Sequence, residues 1–381
     1  MGRPYEIIVV GAGPAGSAAA ALFARQGRRV LLLDKARFPR PKPCAEYLSP
    51  GAVDVLQRLG ALEPIEKSGQ RRWLRGMQVV APNGDRHLVQ YADAAGEPRR
   101  SLSMARPVLD MLLLEVARAS GAEVREGCRV SAAWQEDGRV RGVVGPGGER
   151  MQADLVVGAD GLRSVVAGSL GLQRTLGWPR RLGLVAHYAD VDWPEECGQM
   201  LVGKRGYVGA APLDGNGLVT VGLVCHLPRG RLGSAAAALE AGLADCPELA
   251  RRLRGGRRLS NVTGIGPMAR AARRLVGPGF ALLGDAAGFF DPFTGEGIFR
   301  ALRGAELLAA DPVRYAPKQK HAFRAKERLV AVVQLLVQSP PLMNFAVGRL
   351  RARNGVAHEL DNMLGDLQPA RLGVVWRLLG P

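Results

Sequence analysis

The residues best suited to chemistry near the start of the chain are three glycines and an acid. Gly11, Gly13 and Gly16 form a G-x-G-x-x-G turn, and Asp34 follows at the ~20-residue distance expected of a partner for it. Such a turn binds anions. Gly11 permits the tight bend, Gly13 with Pro14 and Ala15 lets a pyrophosphate approach the backbone, and Gly16 lets a helix pack closely on a strand. The helix start supplies free N–H groups and a partial positive charge. Asp34, with Lys35 beside it, stands where a carboxylate accepts from ribose hydroxyls. With 50 glycines in 381 residues the bare motif carries little weight. Its setting carries more. "EIIVV" is a short, uninterrupted β-branched run that reads as a buried parallel strand; a small-residue helical run follows; "RVLLLD" is a second strand. The set is a βαβ unit that binds one dinucleotide.

A second candidate is Cys44, in "PKPCAEYLSP". Lys35, Arg37, Arg40 and Lys42 stand upstream, a setting that favours a thiolate. The other reading is a small apolar residue in a proline-stiffened loop, and both stand at this point. His187, Tyr188, Tyr207 and His226 fall on strand-like runs and read as ordinary sheet residues. No H-E-x-x-H or G-x-S-x-G motif appears, and no two cysteines form a C-x-x-C pair, so zinc hydrolase, serine esterase and cysteine-metal chemistry find no support.

Two later stretches choose the cofactor. In "ADLVVGADGLRSVV" a buried strand delivers Asp160 and Gly161 to a turn, with Ser164 after it. In "GFALLGDAAGFFDPFTGEGIFRAL" a strand delivers Gly284 and Asp285, and a turn at Gly295–Gly297 opens a helix. "GIGPMA" at 264–269 also fits a loose glycine motif, but too few residues separate it from the next strand for a crossover, so it reads as a strand ending in a turn. By residues alone the single site holds a nicotinamide nucleotide or FAD.

Taken together and in order, these stretches resemble the glutathione-reductase-type FAD fold. More closely they resemble the group of flavoprotein monooxygenases (p-hydroxybenzoate hydroxylase-like) and geranylgeranyl reductases, across residues 4–310. The resemblance implies that Asp160, Gly161 and Ser164 lie near FAD, that Gly284 and Asp285 serve its ribityl and pyrophosphate part, and that Arg106 runs along it. It places the helix start formed by Pro292, Gly295, Glu296, Gly297 and Ile298 at the flavin N1/C2=O edge, where reduced flavin is negative. It sets Cys44 and Ala45 beside the flavin, with Cys44 and Tyr207 as candidate catalytic groups. "GDAAGFFDPFTGEGI" and "KPCAEYLSP" look like the reductase branch. There are departures. Ala167 stands where the group has an arginine. In "GYVGAAP" only Tyr207 and Pro212 match the Tyr-x-Trp-x-Phe-Pro stretch that covers the substrate in many such reductases. The implied activity is reduction of carbon–carbon double bonds in an apolar isoprenoid-like substrate. The alternative is hydroxylation of an aromatic or polyketide. The implied reductant is a visiting reduced nicotinamide cofactor or a ferredoxin-type donor.

The elements that must hold these groups define an α/β chain. The FAD-binding part is expected at 1–70, 101–170 and 263–312, with an antiparallel β-sheet substrate domain at 71–100 and 171–262 and a helical tail at 313–381. Apolar residues make up 47% of the chain, enough for a full core. The net charge of +17 reads as free use of arginine in a soluble protein or as attraction to an anionic membrane surface, and less as nucleic-acid binding, since no nucleic-acid module accompanies it. No run approaches the ~20 apolar residues of a spanning helix. The expectation is a cytoplasmic, peripherally membrane-associated enzyme without a bound metal, its oligomeric state open.

Overall fold

The structure is a computed structural model and describes residues 5–227 and 233–380. Its first unit is β1 (Tyr5–Val10), α1 (Pro14–Arg25) and β2 (Val30–Leu33). The sheet strands used below are then β3 (Gly76–Val80), β4 (Arg86–Ala92), β5 (Glu123–Arg125), β6 (Arg150–Gly158), β7 (Arg181–Ala189), β8 (Cys197–Gly203), β9 (Gly206–Pro212), β10 (Val219–His226) and β11 (Phe280–Leu282). The helices are α2 (Arg106–Ala119), α3 (Val165–Ser169), α4 (Ala235–Ala244), α5 (Pro247–Leu253), α6 (Gly297–Ala310), α7 (Tyr315–Val337), α8 (Pro340–Ala352), α9 (Asn354–Leu364) and α10 (Leu372–Leu379).

Five strands run parallel in the order β5-β2-β1-β6-β11, with Ile8 opposite both Leu31 and Val156, and Val156 opposite Phe280. Both faces are covered at the centre of the sheet, so β2, β11 and the inner ends of β1 and β6 are apolar without alternation. One face packs on α1, α2 and α6 through Ala18–Ala21, Leu113, Leu302 and Leu308. The helix α1 lies so close to β1 that a Cβ at Gly16 would sit 1.8 Å from the Gly11 carbonyl oxygen. That contact aims the start of α1 at the carboxyl ends of the strands, where ligands bind in such sheets.

The second sheet follows the order β7-β10-β9-β8-β3-β4, antiparallel except for β8 beside β3. It alternates, as a sheet with two different faces must. Leu184, Val208, Val221 and Leu223 point outward under α4 and α5. Gly183, Val185, Tyr207, Gly209, Gly222 and Val224 line the side turned to the parallel sheet. The two covering helices are absent from the strand-only expectation for 171–262. "AAAALEAGLA" carries no period-2 signal, and its alanines favour helix once the sheet offers a face to cover. "GIGPMA" is a strand, Thr263–Ile265, followed by a cis Gly266–Pro267 turn.

Helices α7–α10 close the far side. The buried Lys326 donates to Asp366 Oδ1 at 2.8 Å, and Ser49 Oγ donates to Asp366 Oδ2 at 2.6 Å. Gly16→Ala is expected to destabilise the protein by about 3 kcal/mol or more, because backbone has to move. Gly168→Ala, with nothing within 4 Å of the new methyl in α3, should be neutral or stabilising by up to about 1 kcal/mol. Urea midpoints compare the two.

Candidate functional site

A cavity lies between the carboxyl ends of the parallel strands and the inner face of the second sheet. One wall is the glycine turn. Gly11 has φ +100°, and a Cβ there would lie 2.6 Å from the Ala159 carbonyl oxygen. Gly13 is different, since the nearest atom to its missing Cβ is Arg40 Nη2 at 3.6 Å. No side chain caps the start of α1, so its N–H groups remain available to an anion. Asp34 is held by two backbone donors, Ala12 N–H to Oδ2 and Ala36 N–H to Oδ1, each at 2.8 Å. Each oxygen keeps a lone pair for a hydroxyl donor.

A line of alternating charge borders this wall. Arg40 lies 3.9 Å from Asp34 and 3.4 Å from Asp110. Arg106, 3% exposed, donates Nε and Nη2 to the two oxygens of Asp110 at 2.8 Å each. Burial opposes the charge on Arg106, but Asp110 and Cys44 together outweigh it and hold the guanidinium above its ordinary pKa. Across the cavity Lys42 lies 3.7 Å from Asp285. The start of α6 is likewise without a side-chain cap, and Gly295, Gly297 and Ile298 bring it to the cavity wall.

The expected site residues divide. Gly13, Pro14, Ala15, Cys44, Ala45, Arg106, Gly161, Tyr207, Gly284, Asp285, Pro292 and the α6 start all reach the wall. Gly11 and Gly16 lie beneath it, as packing residues. Four others are placed differently. Lys35 is exposed outside the wall. Asp160 accepts from Ser164 Oγ and from the Val165 and Val166 N–H groups, so it ties down the first turn of α3. Ser164 caps the same helix through Ala167 N–H. Glu296 turns away toward Arg300 and Lys326. Asp160, Ser164 and Glu296 each have a local backbone or charge partner.

Cys44 accepts the Glu46 N–H at 3.4 Å and sits beside the Arg106 guanidinium. The Tyr207 hydroxyl donates to Asp291 Oδ1 at 2.6 Å, and burial pushes its pKa well above 10. Its proton is therefore committed to Asp291, which also accepts from Gln334 at 2.7 Å.

One pair escaped sequence reading. Glu46, buried and at φ +57°, accepts the Arg106 N–H at 2.8 Å and pairs with His187 Nε2 at 2.7 Å. It ties the loop around Cys44 to α2 and to β7. The hydrogen bond to Glu46 raises the His187 pKa against an opposing burial effect. Nothing in local pattern links a loop glutamate to a strand histidine this far along the chain. Among the described residues no group of His, Cys, Asp and Glu could hold a metal ion.

The cradle, the paired arginines and the two open helix starts fit a flavin dinucleotide. Residues 4–311 match a family model described as an FAD binding domain. The chain belongs to this FAD-binding family. It is an FAD-dependent oxidoreductase. A menaquinone reductase of Mycolicibacterium smegmatis is 33% identical over 81% of this chain and 76% of its own length. A digeranylgeranylglycerophospholipid reductase of Methanococcoides burtonii is 30% identical over 85% of this chain and 80% of its own. Among solved structures, the flavin-dependent brominase Bmp2 superposes with a TM-score of 0.81 at 20% identity, covering 95% of this chain and 94% of that one. That likeness is one of fold.

Bound FAD supplies a ring that takes up and gives out hydride. The chain would hold it with the anion cradle, the fixed Asp34 carboxylate and the Arg40–Asp110–Arg106 line, and the uncapped α6 start would favour negative charge on the reduced ring. Gly13→Ala should leave apoprotein stability within about 1 kcal/mol while weakening FAD at least about tenfold, read by flavin fluorescence titration. His187 has a folded pKa above its unfolded value of 6.5. Its stabilisation is therefore complete below that value and lost as pH rises through the folded pKa. The melting-temperature gap between wild type and His187→Gln is expected to be widest near pH ~6 and to narrow toward pH ~9.

Proposed function

We propose that this enzyme reduces carbon–carbon double bonds in an apolar, isoprenoid-type chain. The observation that carries this reading is the floor of the cavity. Gly209 and Gly222 stand opposite one another on β9 and β10 with backbone conformations open to any residue. A Cβ at either would meet nothing nearer than 3.4 Å. Glycine inside a strand weakens it, so glycine kept where a side chain would fit marks the close approach of a ligand. The space is overwhelmingly apolar, with Val185, Met200, Val224, Ile265 and Met268 around it. It shares the walls Ala45, Tyr47, Gly209 and Pro292 with a second, smaller apolar space. Gly209 and Ala211 stand where the reductase stretch has its Trp and Phe, so this chain leaves room where such reductases place rings. Relatives at about 30% identity are named menaquinone reductase and digeranylgeranylglycerophospholipid reductase, which supports a prenyl chain as the occupant.

On this reading the chain excludes water and lays the alkene against the cofactor. Hydride goes to one alkene carbon and a proton to the other. Cys44 is the better placed proton source. It lines the wall, and Arg106 beside it stabilises the sulfur once the proton has left. Tyr207 orients through its bond to Asp291. The reductant visits from outside, as a reduced nicotinamide nucleotide or a ferredoxin-type protein, because the chain carries one dinucleotide fold.

With dithionite-reduced enzyme and a polyprenyl quinone or geranylgeranyl lipid under nitrogen, the expected product is heavier by the mass of H₂ per bond reduced. Oxygen-dependent gain of a hydroxyl instead assigns the enzyme to the monooxygenases of this fold. Gly209→Trp is expected to cut kcat/KM for the long chain by about tenfold or more while leaving FAD affinity within about threefold.

A further inference from the structure

Large apolar side chains left in water gather on the last helices. Leu335 in the final turn of α7, Leu342 and Phe345 on α8, and Trp376 on α10 are 56%, 48%, 50% and 76% exposed. Leu342 and Phe345 share one face of α8, and Met343, Ala346 and Val347 on the other face are buried. Arg349 joins the two helices. Its guanidinium lies 5.8 Å from the Phe345 ring, and its Nε donates to the Leu378 carbonyl at the end of α10. Trp376 lies within a turn of that point, its carbonyl accepting the Gly380 N–H. The helices α7 and α8 meet at 117°, which sets Leu335 and Leu342 on either side of the bend. A grouped apolar patch of this kind left in water marks an interaction surface.

The charge around the patch names the partner. Residues 313–381 carry eleven Lys and Arg against four acids, Glu327, Glu359, Asp361 and Asp366. Two of the acid side chains are buried, Asp361 against His87 and Asp366 against Lys326. Arg351, Arg371 and Arg377 are exposed. A second copy of the chain would bring like charges together. We infer that this face docks on an anionic lipid bilayer, with Phe345 and Trp376 entering the interface and the arginines meeting headgroups. No single helix among the described residues is long and apolar enough to cross a membrane. The docking is therefore peripheral.

The surface has a connection to the interior. The second apolar space ends against Val333 of α7 and Leu364 of α9, on the inner side of the same helical layer. The docking itself rests only on the surface, so it stands or falls apart from the reaction proposed above.

The test uses the full-length, FAD-loaded protein with vesicles of phosphatidylcholine alone and of phosphatidylcholine with phosphatidylglycerol. Sedimentation is expected with the anionic vesicles only, and to weaken as salt is raised. The triple variant Leu342→Ser, Phe345→Ser, Trp376→Ser should bind at least about tenfold less tightly. Its melting temperature and flavin absorbance should match wild type, since these side chains already lie in water. Three results overturn the inference. They are unchanged binding by the triple variant, no binding of wild type to either vesicle, and a wild-type dimer in solution that the triple variant abolishes.

Discussion

The site depends on one buried carboxylate. Asp110 has no exposure to solvent, yet it holds both nitrogens of Arg106 and stands within reach of Arg40. A charge in that position is costly unless it is paired and hydrogen-bonded. Pairing it fixes two guanidinium groups along the glycine turn and, through Arg40, borders Asp34. Arg106 opens α2 and gives its own N–H to Glu46, so the same carboxylate also steadies the loop that carries Cys44. Charge placement along the cofactor path is thus set by the interior of α2 and not by the loops that touch the ligand.

The two halves of the cavity solve different problems. The parallel sheet and its helix starts offer donors and partial positive charge to a long anion, and they tolerate little change because backbone packs on backbone at Gly11 and Gly16. The second sheet offers almost no polar group to the cavity. What it offers is shape, set by which of its inner positions carry a side chain. On the proposed reading, cofactor and substrate recognition rest on separate elements, which suits a fold shared with flavin-dependent halogenases.

Legibility followed the range of each interaction. The β1–α1–β2 unit was readable because its signals lie within a few turns of one another, and the ends of β6 and β11 were readable for the same reason. Asp160 reads in the sequence as a cofactor residue, and in the fold its carboxylate holds the first turn of α3. The same carboxyl-then-serine spacing serves either purpose, and only the N–H groups of Val165 and Val166 decide between them. The Glu46–His187 pair was invisible because it joins a loop to a strand of the other sheet. The helices α4 and α5 were missed because the outer face they cover is a property of the folded sheet.

The turn between α9 and α10 is seated hard against the helix that follows the Cys44 loop. Gly51 N–H donates to the Gly365 carbonyl, and a Cβ at Gly51 would lie 2.6 Å from the Asp366 carbonyl oxygen. Asp366 also accepts from Ser49, which caps that same helix. The tail is thus a splint for the cofactor side of the molecule. Cutting the chain before this turn would strip Ser49 of its partner and unseat the helix start beside the flavin loop, even though the tail itself contributes no residue to the glycine cradle.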